Sequence, residues 1–276
     1  MVNNPFKDIK KKIEKDLPSE LIKYLPKKWE KIGDIVIIKI DSKLNKHKLA
    51  IGETYSKVLK CKTILNDIGG IKGELRQPKI KFIYGDKDTI TVHKENNIKF
   101  KLDPQKIMFS SGNMNERIRM ATISNSKETV VDLFAGIGYF SLPIAVYSKP
   151  KKIIAFEKNS ISFSFLKENI VLNHVTEIVE PVLGDCRKVA PHNIADRVIL
   201  GYFGNTYKFL QTALNCLKNE TGIIHYHDIF PEENIPKKAM TLVKEKIKKD
   251  VKLINYNIVK SYAPGIKHVV FDIKIG

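Results

Sequence analysis

The hydrophobic rhythm of the chain changes twice. In residues 6–31 apolar positions recur at helical intervals with lysines between them, and Pro18 and Pro26 interrupt the pattern, which predicts one or two amphipathic helices with a solvated basic face. From Ile35 to Leu102 the runs become short and β-rich, at 34–40, 80–84 and 89–93, separated by Gly-Gly, Gly-Asp and Glu-Asn-Asn turns. Together these stretches predict a small α+β domain over residues 1–104, with Pro104 at the boundary. From Val130 onward apolar strands alternate with helical segments: strand 130–134, a helix to about Tyr147, strand 152–156, helix 160–173 and strand 179–183, then strand 197–200, helix 207–218 and strand 222–226. Such alternation predicts an α/β domain over 105–276, a mostly parallel sheet covered by helices that binds ligands at the carboxyl ends of its strands. The last two runs, 252–260 and 268–274, are joined by Tyr-Ala-Pro-Gly and predict a closing antiparallel hairpin.

Charge adds a partner class. The 276 residues carry a formal net charge of +18, distributed over both predicted domains: 24 basic and 14 acidic side chains up to residue 104, and 24 and 16 beyond it. A polyanion is the first partner this implies, because phosphate neutralisation dominates nucleic-acid affinity. A competing reading stays open, since only five of the 48 basic residues are arginine and lysine-rich surfaces also occur in heat-adapted proteins. Cys61, Cys186 and Cys216 are far apart and odd in number, so neither a disulfide framework nor a cysteine metal site is expected. Lysines interrupt every early apolar run, so no signal peptide or membrane span is expected and a cytosolic setting is.

The candidate chemistry begins at Val-Val-Asp-Leu-Phe-Ala-Gly-Ile-Gly-Tyr-Phe, residues 130–140. A buried strand runs into a turn in which Gly136 and Gly138 can take positive φ and bring backbone amides close to a ligand. A dinucleotide fingerprint would place a third glycine at 141, but that position is Ser141, so S-adenosylmethionine is favoured over NAD. Glu157 ends the second strand nineteen residues after Gly138, where a carboxylate can accept both ribose hydroxyls. Asp185 ends the third strand, where it can accept the adenine amino group while the Cys186 amide faces the ring. The plainer alternatives are a packing turn at the glycines and helix caps at the two acids.

Further segments carry a resemblance. Lys-Ile-Met-Phe-Ser-Ser-Gly-Asn-Met-Asn-Glu-Arg-Ile-Arg-Met-Ala at 106–121, followed by Asp-Leu-Phe-Ala-Gly-Ile-Gly and later Ile-Val-Lys-Ser-Tyr-Ala-Pro, resembles the archaeal and eukaryotic tRNA guanine-N1 methyltransferases over roughly residues 30–276. Those enzymes end their fourth strand in an Asn-Pro-Pro-like motif that helps hold the target base. This chain has Leu-Gly-Tyr-Phe-Gly-Asn-Thr at 200–206. With Phe-Ser-Ser-Gly-Asn, His-Tyr-His-Asp at 225–228 and Pro-Gly-x-x-His at 264–268, it is more similar to the sister branch, the tRNA wybutosine-synthesis aminocarboxypropyltransferases.

The resemblance implies a class I methyltransferase (Rossmann-like) fold and transfer of the 3-amino-3-carboxypropyl group of S-adenosylmethionine to C7 of 4-demethylwyosine at position 37 of tRNA-Phe, leaving methylthioadenosine. Phe134, Ala135, Gly136, Gly138, Glu157, Lys158, Asp185 and Cys186 are then the expected cofactor contacts. Arg117 with Ser110 is expected to anchor the methionine tail, because a guanidinium holds a carboxylate bidentately. Arg119 is the rival, and a structural ion pair or a tRNA phosphate is the other reading of Arg117. Tyr202 and Phe203 are candidates to stack on the extruded base or to pack at the strand end. His225 and His227 share one face of the fifth strand, as a polar pocket wall or as ordinary packing, and no metal is expected. A monomer is expected. Transfer of a methyl group to a tRNA base, or RNA binding without catalysis, are the alternatives.

Overall fold

The computed structural model describes residues 4–276. They form two compact units, one running up to Lys94 and including Lys99–Ser111, the other comprising Glu95–Ile98 and Gly112–Gly276.

In the first unit α1 (Pro5–Ile13) starts where the Asn4 side chain accepts a hydrogen bond from the Phe6 amide, and it buries Ile9 and Ile13. A 3-10 turn, Ser19–Tyr24, fills the interval between Pro18 and Pro26. The helical expectation for 6–31 is corrected beyond it: β1 (Trp29–Ile32) is a strand, antiparallel to β2 (Ile35–Ile38) with Trp29 opposite Ile38. Pairing with the apolar β2 outweighs the local spacing. A helix, α2 (Lys48–Leu59), interrupts the region expected to be all short strands. Gly52 and Thr54 blur its pattern, yet β2 and β3 (Thr63–Lys72) pair in parallel, and a parallel pair requires a crossover. β4 (Gln77–Gly85) completes the order β1-β2-β3-β4. The expected Gly-Gly turn lies inside β3 instead, where Asp67 accepts from the Gly69 and Gly70 amides across a register irregularity. The Glu-Asn-Asn turn joins β5 (Thr91–Glu95) to β6 (Ile98–Leu102), with Asn96 and Asn97 at φ +46° and +58°.

The division between units falls after Ser111 rather than at Pro104. Asp103 accepts from the Thr89 hydroxyl and the Gln105 amide, and buried Phe109 packs its ring on His93 and Phe100, so residues 105–111 stay with the first unit.

The second unit runs α3 (Met114–Met120), β7 (Thr129–Asp132), α4 (Ser141–Tyr147), β8 (Lys152–Glu157), α5 (Ser160–Leu172), β9 (Val179–Leu183), α6 (Cys186–Val189), β10 (Arg197–Leu200), α7 (Leu210–Cys216), β11 (Gly222–Pro231), α8 (Ile235–Ile247), β12 (Val251–Ala263) and β13 (Ile266–Ile275). Its sheet has the order β12-β13-β11-β10-β7-β8-β9. The five strands from β11 to β9 are parallel, while β13 inserts antiparallel to both β11 and β12. This is the α/β sheet with a closing antiparallel hairpin that the alternation predicted. Val131, Val198, Leu200, Tyr226, Phe271 and Ile273 share one core with Leu210 and Leu214 of α7 and Val243 of α8. Strand order reverses between β7 and β10, the switch point at which open α/β sheets bind ligands outside the carboxyl ends of their strands. Among the described residues no helix is long and apolar enough to cross a membrane.

Gly52 offers a direct check of the α2 packing. A Cβ on it would stand 2.6 Å from Tyr84 Cβ and 2.8 Å from Ile83 Cγ2, both on β4. At an exposed helical site Gly→Ala gains up to about 1 kcal/mol, whereas overpacking costs about 1–3 kcal/mol. Gly52→Ala should therefore lower the urea midpoint of unfolding, and a raised midpoint would contradict the close approach.

Candidate functional site

The glycine turn is built by the three strands around it. The Ala135 amide donates to Phe156 O (2.8 Å), tying the turn to β8 three residues past the end of β7. Gly136 and Gly138 follow at φ +59° and +99°. A Cβ on Gly138 would lie 2.6 Å from Leu142 and one on Gly136 2.5 Å from the Tyr139 ring, so both positions require glycine on two counts. Glu157, at the end of β8, reaches across to this turn. Its Oε2 accepts from the Gly136 amide (2.8 Å) and its Oε1 from the Asn159 amide (2.6 Å). Each oxygen keeps a lone pair for a further donor, as a ribose diol would need. Burial pushes the carboxyl upward, and the amides counter only part of that.

Asp132, wholly buried one turn earlier, accepts from the Ser141 hydroxyl (2.7 Å) and the Phe134 amide (3.2 Å). Ser141, the residue standing where a dinucleotide site has its third glycine, thus ties α4 to the strand end. Burial raises the Asp132 carboxyl to about 6.

At the end of β9, Asp185 caps α6 and accepts from the Arg187 amide (3.1 Å), so the capping alternative holds for it. Its carboxylate also binds the Arg187 guanidinium (2.9 and 2.5 Å) and lies 3.4 Å from Lys158 Nζ. The Arg187 contact above all holds it well below the usual carboxylate range. Cys186 beside it is buried, which pushes its thiol up to about 12. Phe134 stacks on Tyr202 with centroids 5.0 Å apart and meets Phe209 edge-on, so Tyr202 is half-buried against the glycine turn. Phe203 packs instead on His268 and Tyr262.

The α3 arginines are engaged by the chain's own carboxylates. Arg117 is 3% exposed and donates from Nε and Nη2 to the two oxygens of Glu95, both at 2.7 Å. The structural ion pair given above as the other reading of Arg117 is thus present, with Glu95 as the acid. Ser110 belongs to the first unit, where it is half-buried. Arg119 donates to Glu116 and Asp272, each at 2.7 Å. Asp272 continues to His225 Nδ1 (2.5 Å), and Arg197 donates to His225 Nε2 (2.7 Å) while forking onto Glu128. Because arginine only donates, His225 carries its proton on Nδ1. Burial lowers the imidazole, so it stays neutral. Burial also acts to raise Asp272, but His225 and Arg119 outweigh it and hold that carboxylate low.

His225 and His227 do share a face of β11, and both are buried, at 2% and 1% exposed. The sequence pattern did not mark Asp272, Arg197 or Glu128. Charged residues inside otherwise apolar strands were the available signal, but their pairing spans up to 153 residues, between Arg119 and Asp272, and depends on strand order.

Comparison with known proteins gives the family. The model for the TRM5/TYW2 methyltransferase domain matches residues 91–256, and that for the TYW2 N-terminal domain matches 9–89. The chain belongs to the TRM5/TYW2 family. It is 45% identical over 270 residues to the tRNA(Phe) (4-demethylwyosine(37)-C(7)) aminocarboxypropyltransferase of Pyrococcus horikoshii, covering 97% of this chain and 96% of that one. The protein of the same name from Methanocaldococcus jannaschii is 46% identical over 250 residues, covering 90% and 97%. The crystal structure of P. horikoshii TYW2 in complex with MeSAdo superposes with a TM-score of 0.87 at 43% identity over 98% of both chains.

Asp132 yields a pH test. A carboxyl whose pKa is higher folded than unfolded binds protons more tightly when folded, so it favours folding below about pH 4 and loses that contribution as pH rises through about 6. Asp132→Asn removes the term. Between pH 4 and 7 the stability of the variant should gain about 3 kcal/mol on the wild type in urea titrations, at about 1.4 kcal/mol per unit. Parallel pH curves would clear Asp132 of this role.

Proposed function

We propose that this chain transfers the 3-amino-3-carboxypropyl group of S-adenosylmethionine to C7 of 4-demethylwyosine at position 37 of tRNA-Phe, releasing methylthioadenosine. The observation that carries the reading is the near full-length identity to two archaeal enzymes of that activity, in a chain whose strand ends carry a fitting nucleoside cradle. The net charge of +18 suits a tRNA substrate.

The residues divide the work by moiety. The Gly136–Gly138 turn lets the backbone approach the donor, Glu157 takes the ribose hydroxyls, and Asp185 with the Cys186 amide takes the adenine edge. Phe134 and Ala135 line the turn, and Lys158 adds positive charge next to Asp185, together with Arg187. The bound sulfonium supplies three activated carbons, and the one held in line with the nucleophile is the one transferred. Group choice is therefore a matter of pose, which a rigid cradle fixes. The turn's rigidity follows from its bonds: the Gly136 amide to Glu157, the Ala135 amide to β8 and the Ser141 hydroxyl to Asp132. Asp228 adds a fourth constraint by accepting from the Gly204 amide (2.9 Å), which fixes the loop after β10 against β11.

Incubation with precursor-bearing tRNA-Phe and donor labelled in the carboxyl group should place the label in RNA, whereas methyl-labelled donor should leave it in methylthioadenosine. Methyl label in RNA would establish base methylation instead, and no label from either would favour RNA binding without catalysis.

The cradle has its own test. Glu157→Ala and Asp185→Ala should each weaken S-adenosylmethionine binding at least about tenfold by calorimetry, equivalent to about 1.4 kcal/mol. Unchanged affinity in both would remove the two acids from the site.

A further inference from the structure

The fold brings together two sequence segments that the cofactor cradle leaves unused: His-Tyr-His-Asp on β11 and the histidine of Pro-Gly-x-x-His on β13. His227 Nδ1 and His268 Nε2 are 3.4 Å apart, and both side chains are 1% exposed. The His227 ring lies 4.9 Å from Phe140, two residues past the glycine turn. The His268 ring lies 4.9 Å from Phe203, in the loop after β10. Phe203 in turn meets Tyr262, which is 49% exposed. A continuous series of flat rings thus leads from the surface at Tyr262, through Phe203 and His268, to His227.

The inner end of that series is chemically unfinished. A neutral imidazole has one N–H, and with that proton on Nδ1, donated to His268 Nε2, the Nε2 of His227 is an acceptor without a hydrogen-bond partner among the described residues. An unsatisfied buried polar atom is costly to keep. Both nitrogens of His225, two residues away on the same face, are bonded, so of the two β11 histidines it is His227 that keeps an unpartnered nitrogen. Desolvation, together with neighbouring His268, His225 and Arg119, holds His227 far below its ordinary pKa and hence uncharged, while Asp272 opposes this weakly.

We propose that the series Tyr262–Phe203–His268–His227 receives the acceptor base, and that His227 Nε2 takes the proton released from its substituted carbon. The inference rests on the transferase reading above. The balance is as follows. The ring π pair of the base forms the new C–C bond as the C–S bond breaks, and the C–S bonding pair stays on sulfur in neutral methylthioadenosine. The base ring is then cationic, its C–H pair returns to the ring, and the proton passes to Nε2. The Nδ1–H of the resulting imidazolium donates to His268 Nε2. A cationic ring adduct is a strong acid, so a weakly basic, buried imidazole suffices as acceptor, and remaining neutral beforehand it does not repel the sulfonium.

The experiment uses the full chain with precursor-bearing tRNA, unlabelled or deuterated at the receiving carbon. Wild type must first transfer carboxyl label; failure there overturns the transferase reading and not the histidine assignment alone. Given transfer, His227→Gln and His227→Phe should lower the single-turnover rate about 100-fold or more, within the range of general-base catalysis. S-adenosylmethionine affinity should stay within twofold. His227→Gln should also show a primary deuterium isotope effect larger than wild type, because proton removal has become slow, a readout that a packing role does not move. Turnover within a few-fold of wild type in either variant, or a rate loss with no change in isotope effect in His227→Gln, would overturn the proposal.

Discussion

The bond from the Gly136 amide to Glu157 is the constraint on which the site depends. It joins the turn after β7 to the last residue of β8, so a local backbone choice and a long-range strand pairing are fixed by one carboxylate. The glycines alone give the turn freedom, which is the opposite of what a group-selective transferase needs. Freedom becomes a fixed shape only because Glu157, Asp132 and the β8 backbone each take one of its polar groups. Ser141 has the same logic: where another fold would admit a diphosphate, its hydroxyl holds α4 to Asp132.

Around this centre the sheet separates two kinds of polar interior. At the carboxyl ends of β7, β8 and β9 the acids are held by backbone amides and keep capacity for a ligand. Across β10, β11, β13 and α3, Glu128, Arg197, His225, Asp272, Arg119 and Glu116 satisfy one another, with Asn257 of β12 donating to Glu116 (3.0 Å). Such a relay is costly to bury and strongly destabilising to break at one member, so it specifies the seating of α3 more than it adds net stability. Arg117 and Glu95 repeat the arrangement on the other side of α3.

The α/β alternation, the closing hairpin and the strand-end acids were legible because each rests on local signals: apolar runs, glycine pairs, and acids placed where a strand stops. What escaped depended on partners distant in sequence. β1 is a strand because β2 lies beside it, and α2 exists because β2 and β3 run parallel, neither of which the spacing of residues 29–31 or 48–59 reveals. The same limit governed the site. The residue type of Arg117 suited carboxylate capture, but nothing local showed that the carboxylate would be Glu95, twenty-two residues earlier on a hairpin tip.

Cys186 is the residue whose surroundings carry a wider consequence. A sulfonium donor alkylates any good nucleophile within reach, and on the proposed placement a sulfur atom of the enzyme lies next to the adenosine pocket. Burial raises that thiol to about 12, leaving almost no thiolate at neutral pH. On that placement the thiol beside the adenosine pocket is held in its protonated, weakly nucleophilic form.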